Sequence, residues 1–162
     1  MRPNALLASA VAATELFFGG CYAQSVSLNV AQNLNFPTIA IPQAGTADVS
    51  VSALNSLVSG TGTVINGTAS RGQFNLTVDQ SGSSVSLVVD ITDVSVSDPN
   101  VSLGSFTGLY RGYFISSFPS QTLPLPDAGA STPFYLGATL TASPGVQQGP
   151  VTATFTIRVT VL

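Results

Sequence analysis

The sequence predicts an all-β protein, a single antiparallel β-sandwich of roughly eight to ten short strands. Three observations lead there. Residues 151–162 read V-T-A-T-F-T-I-R-V-T-V-L: Val151, Ala153, Phe155, Ile157, Val159 and Val161 share one face of a strand, and Thr152, Thr154, Thr156, Arg158 and Thr160 the other. Shorter runs with the same period of two recur along the chain, separated by Gly, Pro, Asn and Asp turn signals. Beyond the first twenty or so residues, no apolar pattern persists at helical spacing for three turns.

Residues 1–23, MRPNALLASAVAATELFFGGCYA, have a short positive start at Arg2, an apolar run and then small residues. That is the layout of a secretory signal peptide, too short for a spanning helix. Glu15 interrupts the apolar run. Cys21-Tyr22-Ala23 offers small residues for cleavage after Ala23, releasing Gln24, whereas Phe18-Gly19-Gly20-Cys21 loosely resembles a lipobox that would lipidate Cys21. An uncleaved N-terminal helix is the remaining alternative. The expected domains are a leader over residues 1–23 and a sandwich over residues 24–162.

In the sandwich, Val26, Leu28 and Val30 alternate, Gln32 interrupts, and Leu34 and Phe36 resume, giving one strand with a soft centre or two short ones. Pro37 and Pro42 make residues 38–41 an edge or sheet-switching piece, since proline cannot donate to a central ladder. Ala47, Val49, Val51 and Ala53 form the next strand, and residues 59–67, Gly-rich around Val64 and Ile65, read as a hairpin. Phe74, Leu76 and Val78, then Val85, Leu87, Val89 and Ile91, flank a short Gly-containing turn and predict a second hairpin. Residues 103–118 hold the aromatic cluster Phe106, Tyr110, Tyr113, Phe114 and Phe118. Residues 119–133, with four prolines and Gly129, read as a long, stiff, exposed loop and the first candidate surface. Phe134, Leu136, Ala138, Leu140 and Ala142 give a clean strand before the Ser143-Pro144-Gly145 turn.

At 162 residues the chain has room for one such domain. It carries four Arg, no Lys, six Asp and one Glu, for a net charge of -3. No basic patch is available to neutralise phosphates, so nucleic acid is not an expected partner. His and Trp are absent, and the single Cys and Glu fall in the leader. A chain processed after Ala23 therefore has no His, Cys, Glu or Lys, the usual donors for acid–base, thiolate and zinc chemistry. The prediction is a non-enzyme; an Asp-based hydrolase is the one enzymatic class left.

Asp90, Asp93, Asp98 and Asn100 have the chemistry of calcium ligands, but their spacing matches no EF-hand loop, and Asp and Asn beside Pro are ordinary turn formers. No metal or cofactor is expected. Tyr110 and Tyr113, with Phe114, are candidates for a sugar-stacking surface; the competing reading packs alternate members in the core. Asn66, Asn75 and Asn100 begin glycosylation sequons, which arise by chance in a chain this rich in Ser and Thr.

Three pieces together resemble a known family: Leu34-Asn35-Phe36 followed by Ala44-Gly45-Thr46; Arg71-Gly72-Gln73-Phe74; and Phe134-Tyr135-Leu136-Gly137-Ala138-Thr139-Leu140-Thr141 ahead of the closing strand. This is similar to exported bacterial domains of unknown function, which are themselves similar to Mat/Ecp-type fimbrial major subunits and, more distantly, to spore coat protein U. Asn35-Phe36-Pro37 departs from the family's Asp-Phe-Gly, and the chain ends in Leu162 rather than an aromatic residue. The resemblance implies an immunoglobulin-like, pilin-like sandwich at the cell surface and brings no catalytic residues.

The expected function is therefore an exported structural subunit of a fimbria or coat, assembling by β-strand exchange. Val26, Leu28 and Val30 are the candidate donor side chains, and Phe155, Ile157 and Val159 face them from the terminal strand; alternatively residues 25–31 are this domain's own first strand. Expected partners are other copies of the chain and a secretion chaperone, with a membrane only if Cys21 is lipidated. The location is secreted or cell-surface, with the periplasm as alternative. A runner-up function is a glycan- or protein-binding module using the 119–133 loop.

Overall fold

A computed structural model describes residues 5–17, 26–78, 86–118 and 120–162, the first of these segments as backbone. Two sheets pack face to face. In order across the first lie β12 (Ser120–Pro124), β9 (Ser86–Val96), β14 (Gly149–Val161), β1 (Ala5–Phe17), β4 (Thr38–Ala40) and β7 (Val64–Asn66), with β3 (Leu34–Asn35) also pairing β1. The second runs β11 (Tyr113–Ile115), β10 (Val101–Tyr110), β13 (Ser131–Ala142), β5 (Ala47–Val51) and β6 (Val58–Ser59). Its β8 (Gly72–Val78) pairs β13, and β2 (Val26–Gln32) pairs β8.

The all-β class and the sandwich arrangement agree with the sequence reading. The described residues contain fourteen strands and no helix, more than the expected number, because five strands are ladders of only two or three residues, too short to show a period. One pairing among the described residues is parallel, β1 with β14. The rest are antiparallel.

Alternation fixes which faces meet. Val151, Ala153, Phe155, Ile157 and Val159 of β14 are buried, opposite Phe74, Leu76, Val101, Leu103, Tyr110, Phe134, Leu136 and Leu140 of the second sheet. Two bulges adjust the pattern where Phe106 meets Phe155, ring centroids 5.4 Å apart. In β10 the register shifts between Gly104 and Thr107, with Ser105 at φ 47, so burial passes from Val101 and Leu103 to Phe106 and Tyr110. In β9 the shift comes opposite Phe155, with Asp93 at φ 52. An extra residue moves every later side chain to the other face, so the β10 bulge keeps Phe106 and Tyr110 on the core side and the β9 bulge brings Val96 against the core, leaving Val94 exposed.

Several local expectations are corrected. Residues 59–67 are not a hairpin: β6 pairs β5 in one sheet and β7 pairs β4 in the other. The Gly62 amide donates to Asp48 O, and Thr61 Oγ1 accepts from the Asp48 amide, drawing the segment across β5. β8 and β9 also lie in different sheets, because both bury apolar faces in the core from opposite sides. Residues 26–36 divide at Asn33 into β2 and β3, one in each sheet. The 119–133 segment is not one loop: Ser120–Pro124 pairs β9 as an edge strand, where proline is tolerated, and β13 begins at Ser131.

Candidate functional site

The terminal strand β14 has two backbone edges. One pairs β9; the other pairs β1 in parallel through twelve register positions, from Leu6 opposite Gly149 to Phe17 opposite Thr160. On its far side β1 pairs antiparallel with β3, Ser9 opposite Asn35 and Ala10 opposite Leu34, and with β4, Ala5 opposite Ala40 and Leu6 opposite Ile39. Among the described residues, β1 is the strand that joins the β12-β9-β14 half of this sheet to the β3, β4 and β7 half. The slot it fills is walled by the buried side chains of Leu34 and Ile39 on one side and Phe155, Ile157 and Val159 on the other.

In a parallel ladder, register partners share a face of the sheet. Ala8, Ala10, Ala12, Thr14 and Leu16 therefore stand in register with the core-facing Val151, Ala153, Phe155, Ile157 and Val159. At an alternate position Glu15 is opposite Arg158, which is opposite Asp90. Glu15, which interrupts the apolar run of residues 5–17, thus shares a register row with Arg158 and Asp90 across three strands.

The candidate donor residues lie elsewhere. Val26, Leu28 and Val30 sit in β2, opposite Val78, Leu76 and Phe74 of β8. The expected neighbour of β14 was residues 25–31; the neighbour found is β1, because β2 pairs β8 in the second sheet. β2 is lightly anchored: Val26 is 4% exposed, Leu28 half-buried and Val30 37% exposed. Phe155, Ile157 and Val159 wall the slot as core residues. A strand at residues 5–17 was missed because an Ala-rich run without β-branched periodicity matches a leader. Glu15 was the available signal. Cys21 and Ala23 lie outside the described residues.

Of the surface candidates, Tyr110 is fully buried, and its hydroxyl donates to Pro124 O at 3.0 Å. Burial raises its pKa above the ordinary value near 10. It belongs to the core, not to a ligand surface. Tyr113 and Phe114, 67% and 51% exposed, project from β11, an edge strand. Phe114 borders a shallow depression of 190 Å³ shared with Ser50, Ser52, Ser105, Thr107 and Thr139.

Asp98 does turn chemistry: Oδ1 accepts from the Asn100 amide at 2.8 Å and Oδ2 from the Gln147 amide at 2.9 Å. The described residues hold no group of three acids, His or Cys placed for a metal. Arg71 precedes β8 and ties its start to neighbouring segments. Its Nη1 donates to Ala53 O at 2.8 Å and to Leu54 O, and its guanidinium covers the Tyr135 ring.

The fold and slot define a class, an all-β sandwich with one sheet completed by an N-terminal strand. The family model of a domain of unknown function, DUF4402, matches residues 26–161, and the chain belongs to that family. No curated protein matches the chain. The matched range begins with the first residue of β2 and ends with the last of β14, so β1 lies outside the family domain.

Proposed function

We propose that this protein is an exported, non-enzymatic structural subunit of a surface fimbria or coat, assembling by β-strand exchange. One observation carries the reading. The family domain, residues 26–161, lacks the strand between β14 and β4, which comes from residues 5–17. If those residues are a leader removed on export, the processed domain has two unpaired edges lining an apolar slot, a template for a strand from another chain. The resemblance of the sequence to Mat/Ecp-type fimbrial subunits and, more distantly, to spore coat protein U supports the same direction. Partners on this reading are further copies of the chain and a chaperone that covers the slot in transit.

The test is to shear the exported protein from cells and determine its mass and shape. Large assemblies or filaments, dissociating only under denaturing conditions, are expected. A stable monomer at high concentration overturns the reading.

A second reading, a glycan- or protein-binding module, draws on the exposed Tyr113 and Phe114 beside the hydroxyl-lined depression. On it the ligand surface takes in β11 together with the 119–133 segment.

A further inference from the structure

Two assignments meet on residues 5–17. Their sequence reads as the apolar part of an export leader, and their backbone is the joining strand of the first sheet. We propose that this segment is a built-in placeholder for a donor strand: in the unprocessed chain it closes the slot against a second copy, and its removal opens the slot. The proposal rests on the assembly reading above and names how that site is regulated.

Register supplies the first argument. With Glu15 opposite Arg158, a slip by one residue either way would bring Glu15 beside Ile157 or Val159, on the core-facing side. Such a slip exchanges the two faces of a strand, so the pairing has one favoured frame. Residue size supplies the second. The positions in register with Val151, Ala153, Phe155, Ile157 and Val159 are Ala8, Ala10, Ala12, Thr14 and Leu16, three of the five alanine. A strand with Val or Leu at alternate positions removes more apolar surface from water in the same slot. With three alanines in that row, the segment is not the most apolar strand such a slot could take, as suits a replaceable cover.

The occupant is a strand of a second copy. β2 of a second copy carries Val26, Leu28 and Val30 at alternate positions and is held at a sheet edge with one of the three fully buried. It is an edge strand with the alternating apolar residues that a neighbour's open slot would take.

The experiment uses the full unprocessed chain, the exported processed chain, and the full chain with Ala10→Asp and Ala12→Asp. Each is titrated with a fluorescent peptide of residues 5–17, and its mass is followed by light scattering. The unprocessed chain should stay monomeric and bind the peptide at least about tenfold more weakly than the processed chain, since a self-occupied site lowers apparent affinity by the fraction left open. The Asp variant should bind like the processed chain, and a peptide carrying the same Asp residues should not bind. Should the variant fail to fold, amide exchange decides: residues 151–160 should be protected in the unprocessed chain, exposed after processing and protected again with peptide. Equal peptide binding by unprocessed and processed chains, or none by either, overturns the placeholder. Tight binding to a processed chain that remains monomeric supports the placeholder and overturns the assembly reading.

Discussion

The Arg71 guanidinium lies 3.6 Å from the centroid of the Tyr135 ring while its Nη1 holds the Ala53 and Leu54 carbonyls. One side chain thus ties the start of β8 to β13 and to the turn after β5. Two of the sequence pieces that carried the family resemblance, Arg71-Gly72-Gln73-Phe74 and Phe134-Tyr135-Leu136-Gly137, meet at this point. Arg71→Ala should cost about 2 kcal/mol, combining a lost cation–π contact with lost charged hydrogen bonds. Arg71→Lys should recover only part, because an ammonium does not stack as a planar guanidinium does. Urea unfolding of the three chains checks both.

Beside that junction β13 passes from β8 to β5. A Cβ on Gly137 would stand 2.2 Å from Val51 O and 2.5 Å from Ala53 N, backbone atoms with no rotamer to relax. Gly137→Ala should therefore destabilise by about 3 kcal/mol, the upper end for overpacking. A small change in the unfolding midpoint would show that β5 and β13 separate more easily than their register implies.

Asp98 joins the Asn100 turn to the loop before β14 through the Gln147 amide. Asp98→Ala leaves two amides without their acceptor and should cost about 2 kcal/mol. If the carboxylate served as a metal ligand instead, calcium would raise the melting temperature of the wild type and not of the variant. No calcium effect on either is expected.

Burial raises the pKa of Tyr110 above its ordinary value near 10. Between the unfolded and folded pKa values the native chain holds more protons than the unfolded chain. Stability from this group is complete below the unfolded value and lost as pH rises through the folded one. Tyr110→Phe should remove that alkaline loss while costing about 1 kcal/mol at neutral pH for the bond to Pro124 O. Chemical unfolding of both chains from pH 8 to beyond pH 10 measures the difference.

Tyr113 and Phe114 lie largely in solvent on β11. Replacing both by Ser should change stability by no more than about 0.5 kcal/mol per site. Glycan-array binding by the wild type that disappears in this double variant would favour the binding-module reading over assembly. No binding by either chain is the expected result.

Much of the sandwich was legible because a strand with one wet face writes its pattern in alternate residues, as β5, β8, β13 and β14 do. The bulges were legible in principle: Val101 and Leu103 are odd-numbered, Phe106 and Tyr110 even, and only an inserted residue keeps all four inward. Both predicted hairpins failed for a different reason. Turn residues between Val78 and Leu87, or between Val58 and Val64, show that the chain bends without stating which sheet receives it. Proline spacing misled at residues 119–133, since Pro124 is compatible with an edge strand. Tyr110 stands in the sequence both as a surface candidate and as a core residue, because sequence alone does not tell a buried tyrosine with a hydroxyl partner from an exposed one.

By itself the sequence determined the all-β class, the terminal strand and its inward face, the poverty of catalytic groups and the leader-like character of residues 1–23. Local periodicity and side-chain chemistry suffice for these. The tertiary structure decided which strands are neighbours, because backbone pairing joins segments far apart in the chain and leaves no local mark. It took β2 to the edge beside β8 and put Ala5–Phe17 between β14 and β4. Residues that read as a leader thereby became the central strand of a sheet, and the slot they occupy became the site on which the proposed function rests.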